Sequence, residues 1–375
     1  MRIFYAVGEA PSAGLAGSRI WRDNLFAALV DLGHDVVEFD FDLDSCYANA
    51  DPASPVKRAY MDRVRPDLEA ALLRQVAAAH AQGQIDILFS YFYNSFCGPD
   101  IIREVSSWGI STFNWYCNAS YQFHLVEEIA PAFDWSLVPE RFRLEDYRRA
   151  GARPIYCQEA ANPLVYHPQD TPRDVDVAFV GGAYGDRPNY IRALVDAGLK
   201  VRTSGLGWEQ LSAQLSQSAR LRRSLGQVRR AAGGRRLRPP RLPRSVAGGA
   251  LTDTEMIAMF SRAKISLGFS VVGNPDPRDA VIRQVRLRDF EAPMSGAFYL
   301  LEYVDEIEEF FVLDREIVCF SSRHELVDKA RFYLAHPDER ESIRRAGHER
   351  ALRDHTWQKR LAGVFADAGV GTGYR

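Results

Sequence analysis

The stretch RLRDFEAPMSGAFYLLEYVDEIEEFF, residues 286–311, decides how the rest of the chain is read. A helical pattern runs into Ser295-Gly296, and the apolar run Ala297 to Leu301 follows at once, which is the signature of a helix, a glycine stop and a buried parallel strand. That is an α-to-β step of a doubly wound domain. Arg288 and Glu291 are three apart and share one helix face, so a guanidinium and a carboxylate come together near the carboxyl ends of the strands, where such sheets bind ligands. A phosphate and a hydroxylated ring suit that pair.

Working outward, 375 residues exceed what one core usually holds, so two domains are expected. With 47 basic and 49 acidic residues the net charge is −2, which argues against a dedicated nucleic-acid binder, and 46% hydrophobic content argues against disorder. The chain opens directly on a strand pattern, and no apolar run reaches about 18 residues, so neither a signal peptide nor a membrane span is expected. A cytoplasmic setting follows. Cys46, Cys97, Cys117, Cys157 and Cys319 are scattered, without CxxC or zinc spacing, and read as reduced structural thiols with no metal.

Toward the amino terminus, Arg2 to Val7 reads as a strand, Gly8 to Gly17 as a glycine-bearing loop, and Ser18 as the cap of a helix that ends at Gly33 before strand Val36 to Phe39. Gly8, Gly14 and Gly17 do not fit G-x-G-x-x-G, so no nicotinamide cofactor is expected. Strands and helices alternate onward: a helix from Arg65 to His80, then strands at Ile85 to Ser90, Ser111 to Trp115, Phe133 to Val138 and Pro154 to Ala161. Two strand exits, Tyr91 to Ser95 and Asn114 to Tyr121, are rich in aromatics and amides. Aromatic faces cover apolar C–H surface and Asn binds hydroxyls, so Tyr93, Asn94, Trp115 and Asn118 are candidates for an acceptor pocket; buried aromatic core is the competing reading.

Asn162 to Arg173, with three prolines, is the expected hinge. A second strand-loop-helix start follows: Val175 to Val180, then Gly181-Gly182, then a helix from Arg187. Small residues let backbone approach a diphosphate, the helix start offers N–H groups, and Arg187 is placed to close on the oxygens. Between Arg220 and Arg244 lie ten arginines and no acidic residue, an insertion that reads either as a solvated arm or as one resting on an anionic membrane surface or an anionic acceptor. Interleaved aromatics for base stacking are missing, so nucleic acid is not the expected partner.

Arg288-Asp-Phe-Glu291, the Ser295-Gly296 turn, the strand after it and Glu306 to Phe311 resemble the C-terminal half of GT-B fold glycosyltransferases, most closely the spore-maturation CgeB type. The resemblance continues through Glu316 to Phe320, His336 to Arg340, Ala346-Gly347 and His355-Thr-Trp357, about half of the chain. It implies an α/β architecture of two Rossmann-like domains facing a cleft. Residues 1–165 would form the acceptor side, 166–355 the donor domain with insertion 220–244, and 356–375 a helix crossing back and a loose tail.

The function implied is transfer of a sugar from a nucleotide-diphosphate sugar, used as co-substrate with no tightly bound cofactor and no metal, to an unidentified acceptor. In this resemblance Glu291 holds donor hydroxyls beside Ser295 and Gly296, Gly181 and Gly182 approach the donor, and Arg288 and Arg187 stabilise the departing diphosphate. The loop containing Gly14 faces the acceptor. Relatives of this type often carry Asp where this chain has Asn118-Ala119, and Asn cannot take a proton, so His124 becomes the fallback base. Two carboxylates eight residues apart mark many retaining enzymes of this fold; the second matches Glu291, but the first falls on Arg283, which leaves stereochemistry open with retention slightly favoured. A nucleotide-sugar epimerase and a catalytically silent nucleotide-sugar binder are the alternatives.

Overall fold

The computed structural model describes residues 1–9, 18–212, 240–272 and 281–371. Two parallel six-stranded sheets organise the chain. The first contains β1 (Arg2–Ala6), β2 (Asp35–Glu38), β3 (Ile87–Ser90), β4 (Ser111–Trp115), β5 (Trp135–Val138) and β6 (Pro154–Tyr156), in the order β2-β1-β3-β4-β5-β6. The second contains β7 (Val175–Val180), β8 (Val201–Ser204), β9 (Ala247–Gly248), β10 (Ala263–Gly268), β11 (Tyr299–Glu302) and β12 (Val318–Phe320), in the order β9-β8-β7-β10-β11-β12. Both orders reverse direction once, between β1 and β3 in the first sheet and between β7 and β10 in the second, and open α/β sheets bind ligands at that reversal, outside the strand carboxyl ends.

The buried runs explain the strands. Ile87 to Ser90 and Tyr299 to Glu302 are buried at every position, as in sheets covered by helices on both faces. Helix Asp253–Arg262 begins with a reciprocal capping box, Thr252 receiving the Glu255 amide while the Glu255 carboxylate receives the Thr252 amide. The helix expected from Arg65 starts ten residues earlier, as Pro55–Gln82 capped by Ser54, and runs through Pro66. Proline at that interior position removes its own N–H bond and crowds the carbonyl four residues back, and Leu68, Leu72 and Val76 anchor the helix on the core despite that cost.

The C-terminal helix Trp357–Asp367 leaves the second half and buries Trp357, Leu361, Val364 and Phe365 in the first core. Where it crosses, Ala161 N–H donates to His355 O at 3.1 Å and Trp357 N–H to Ala161 O at 3.3 Å. Asn162 N–H donates to Asn24 Oδ1 at 3.1 Å, and Asn24 Nδ2 donates to Tyr166 Oη at 3.3 Å, stitching the two halves at one buried point. All five cysteines are free and buried, and none of the described helices is long and apolar enough to cross a membrane.

Candidate active site

The second sheet's reversal point is lined by the exits of β7 and β10. Gly181 N–H donates to Ser204 O at 2.8 Å and Ala183 N–H to Leu206 O at 2.8 Å, so the loop after β7 is fixed to the exit of β8. Gly205 makes this approach possible: at φ +131°, a Cβ there would lie 2.5 Å from Gly181 O. The fold itself therefore uses the Gly181 amide, while Gly182 turns its carbonyl to Arg187 Nη1 at 3.1 Å.

Arg187 opens helix Arg187–Asp196 and is 8% exposed. Its guanidinium lies 3.7 Å from the Tyr184 ring centroid and 5.3 and 5.7 Å from those of Phe179 and Phe269, so it occupies the reversal point itself. Burial pushes its pKa down to about 10; Tyr184 opposes the shift and the nearby Arg286 adds to it. It stays cationic at neutral pH. Arg286, not singled out in the sequence, faces the same crevice: its Nη2 donates to Val271 O at 2.6 Å and its backbone N–H to Asp289 Oδ2 at 2.9 Å. The Nε atoms of both arginines are buried without a partner, and among the described residues neither arginine has an ion pair with a carboxylate. Asp289, Glu159 and Glu302 act on them from a distance, and two neighbouring guanidiniums without a direct carboxylate contact among the described residues suit an anion.

Between Arg286 and Arg288, Leu287 plugs into the first core and fixes this segment to the cleft floor. Arg288 is ion-paired with Glu291, which is fully buried. Glu291 Oε2 takes that pair, and Oε1 has no partner. Asp289 accepts the Tyr299 hydroxyl at 2.9 Å, and burial lifts its pKa to about 6. Glu302 accepts the Ser270 amide at 3.2 Å and lies 3.9 Å from Arg283.

Ser295 and Gly296 are not in the crevice. The helix Arg288–Met294 begins at the strand carboxyl ends and so must finish at their amino ends, where Ser295 is fully buried and Gly296 O accepts Arg173 Nη2 at 3.0 Å. In a parallel α/β unit the two ends of one helix lie at opposite edges of the sheet, which places these two residues away from Arg187 and Arg286.

On the opposite wall, Trp115 is fully buried, edge-on between Trp21 and Trp357, and offers no face to a ligand. Its side chain is part of the first core. Asn94 is engaged at both ends of its amide, Nδ2 donating to His124 O at 2.9 Å and Oδ1 accepting the Ile129 amide at 3.1 Å. His124 is exposed. Tyr93 is 8% exposed within a cluster of Tyr47, Tyr91, Phe96 and Tyr116. Asn118 is half-buried; its Nδ2 donates to Tyr91 Oη at 3.3 Å and its Oδ1 accepts the Tyr121 hydroxyl at 3.2 Å. Tyr121, 45% exposed, feels the charge of Arg286 across the cleft. Gly14, and the arginine block through residue 239, lie outside the described residues.

Two carboxylates in the cleft floor carry no helical or glycine signature that would reveal them in the sequence. Glu140 follows β5 and Glu159 follows β6, and burial lifts their pKa values to about 7 and about 8. The only local sign is a charged residue at the exit of a buried strand.

These two sheets, with a cleft between their carboxyl ends, are the GT-B architecture. Within it, residues 188–366 match the family described as glycosyl transferase-like. Among solved structures, the sucrose-phosphate synthase of Thermosynechococcus elongatus is 16% identical over 98% of this chain and 99% of its own, with a TM-score of 0.60. An alpha-glucosyltransferase in complex with UDP-glucose and DNA containing an abasic site is 11% identical over 98% and 99%, with a TM-score of 0.58. HepE of Anabaena, in complex with UDP and glucose, is 10% identical over 98% and 100%, with a TM-score of 0.55. No curated protein sequence matches the chain.

Proposed function

We propose that the protein transfers a glycosyl group from a nucleoside-diphosphate sugar, bound by residues 166–355, to an acceptor hydroxyl held by residues 1–165. The observation that carries this reading is the pair at the reversal of the second sheet, Arg187 buried and Arg286 half-buried, with the Nε atoms of both buried and unpartnered. A diphosphate supplies the missing charge, and Glu291 Oε1 has a free lone pair for a donor hydroxyl. In the reaction the bond between the sugar C1 and the β-phosphate oxygen breaks and a bond from C1 to the acceptor oxygen forms. The acceptor proton is lost and the nucleoside diphosphate departs. Charge grows on the leaving oxygens, where preorganised guanidiniums stabilise the transition state more than the ground state.

Arg288 supports the site through Glu291. The expectation of retention rests on Glu291 alone, since Arg283 stands at the other position of the carboxylate motif; the anomeric configuration of the product, read by NMR, decides it. Neighbours with the same fold carry UDP-glucose or UDP, which makes uridine the first base to try. The test is a thermal-shift panel of UDP, dTDP, GDP, ADP and CDP, followed by nucleoside-diphosphate release from the matching glucose donor. Stabilisation by one base and release of its diphosphate support the reading. No shift and no release with any of them overturn it.

A further inference from the structure

The wall opposite the arginines depends on one short segment. Helix Ala119–Gln122 is a single turn, and it brings Asn118 and the exposed Tyr121 to the cleft. Between those two residues, Ser120 is held from both sides. Its N–H donates to Glu140 Oε1 at 3.1 Å, and its carbonyl accepts Arg143 Nη2 at 2.7 Å. Arg143 is fixed in turn by Asp146, at 2.7 Å from Nη1. Glu140 is 2% exposed, and its Oε2 is buried with no partner. Removing such a carboxylate from water is costly, and one amide bond with a half-exposed arginine does not repay it. The group is therefore retained at a cost in stability, and its one hydrogen bond goes to the segment that lines the acceptor side.

We propose that Glu140 is a positioning residue whose ionisation tightens its grip on the Ser120 amide and so sets Asn118 and Tyr121 for the acceptor. This rests on the acceptor wall assigned above. A carboxylate accepts an N–H about twice as strongly as a neutral acid, so the segment is held more firmly once Glu140 is charged. Several groups bear on it. Burial raises its pKa to about 7; the Ser120 amide and Arg143 pull it down, and Glu306, which accepts the Tyr156 hydroxyl at 2.6 Å from the other half of the protein, pushes it up. Glu159, Cys117, Tyr147 and Tyr121 face it as well, and each has its own pKa raised by the Glu140 charge. The change from loose to tight therefore falls near neutrality.

Hydrogen–deuterium exchange of the full chain, followed by mass spectrometry on peptides spanning residues 117–123 and corrected for the intrinsic pH dependence of exchange, reads this without donor or acceptor. In the wild type, protection of this segment is expected to rise severalfold between pH 6 and pH 8, while peptides from β10 and β11 stay constant. In Glu140→Gln, which keeps an acceptor oxygen but no ionisation, the segment is expected to lose that pH dependence. Protection that ignores pH in the wild type, or the same pH response in Glu140→Gln, overturns the proposal. The wild-type titration stands by itself if the variant does not fold. Because the exchange needs no turnover, failure of this proposal and failure of the transferase reading are separately visible.

Discussion

Arg288 and Glu291 form an ion pair that uses only one oxygen of the carboxylate, leaving Glu291 Oε1 buried and unpartnered one helical turn from the cleft. A carboxylate in that state is an acceptor waiting for a donor, and a sugar or ribose hydroxyl is the kind of group that the site is proposed to bind. Glu291→Gln keeps the shape and one acceptor oxygen and loses the charge. The expected result is about a tenfold weaker UDP or UDP-glucose dissociation constant by calorimetry, about 1.4 kcal/mol. Glu291→Ala behaves differently. It leaves Arg288 half-buried without its partner, so it is expected to lower unfolding free energy by roughly 3 kcal/mol as well. Equal donor affinity in wild type and Glu291→Gln removes the carboxylate from the donor site.

Arg187 and Arg286, neighbours with buried, unpartnered Nε atoms, predict an anion effect that does not require the correct donor. Inorganic pyrophosphate at millimolar concentration is expected to raise the melting temperature of the wild type and to have little effect on Arg187→Ala or Arg286→Ala. In turnover assays both variants are expected to lose more kcat than donor affinity, because the charge they meet grows in the transition state. Arg187→Lys restores charge but not the planar stack on Tyr184, so partial rescue is expected.

His355 is 3% exposed among Phe290, Phe310 and Phe311, with Nε2 2.7 Å from Phe310 O. Burial pushes its pKa down to about 4 from an ordinary 6.5. Between those values the unfolded chain binds a proton that the folded chain refuses, so stability falls as pH falls from 6.5 toward 4. The cost between pH 7 and pH 5 is about 2 kcal/mol. Glu140 and Glu159 act with the opposite sign: their raised pKa values make the folded chain hold protons that the unfolded chain releases, so their contribution weakens as pH rises from 4.5 toward 8. Urea unfolding at pH 7 and pH 5 of wild type and His355→Gln separates the two. Relative to wild type, the variant is expected to gain about 2 kcal/mol on going from pH 7 to pH 5, and the same pH response in both proteins shows that His355 is not the group responsible.

The returning helix makes the first half depend on the chain's end. Trp357 is fully buried and stands edge-on to Trp115, with ring centroids 5.4 Å apart. Trp357→Ala is expected to cost roughly 3–5 kcal/mol in chemical denaturation, as large-to-small changes in a packed core do. A loss below about 1 kcal/mol would mean that the helix is not part of that core.

Local chemistry makes much of this protein legible in one dimension. Fully apolar runs such as Ile87 to Phe89 and Tyr299 to Leu301 can be satisfied only inside a covered sheet, and the glycine at Gly296, with φ +73°, has to end the helix before it. Those signals depend on a residue and its near neighbours, so the doubly wound plan, the helix carrying Arg288 and Glu291 and the position of Arg187 at a helix start follow from the sequence. What depends on distant packing does not. Trp115 and Asn114 share one strand exit with Asn118, yet Trp115 is core because Trp21 and Trp357, far away in the chain, close over it. Ser295 and Gly296 carry the same motif as Glu291 but lie at the opposite edge of the sheet, because a helix has two ends. Arg286 and Glu140 follow no periodicity. The protonation of Glu140, like that of Arg187, is set by burial and by the charges around it, and those are properties only the assembled tertiary structure possesses.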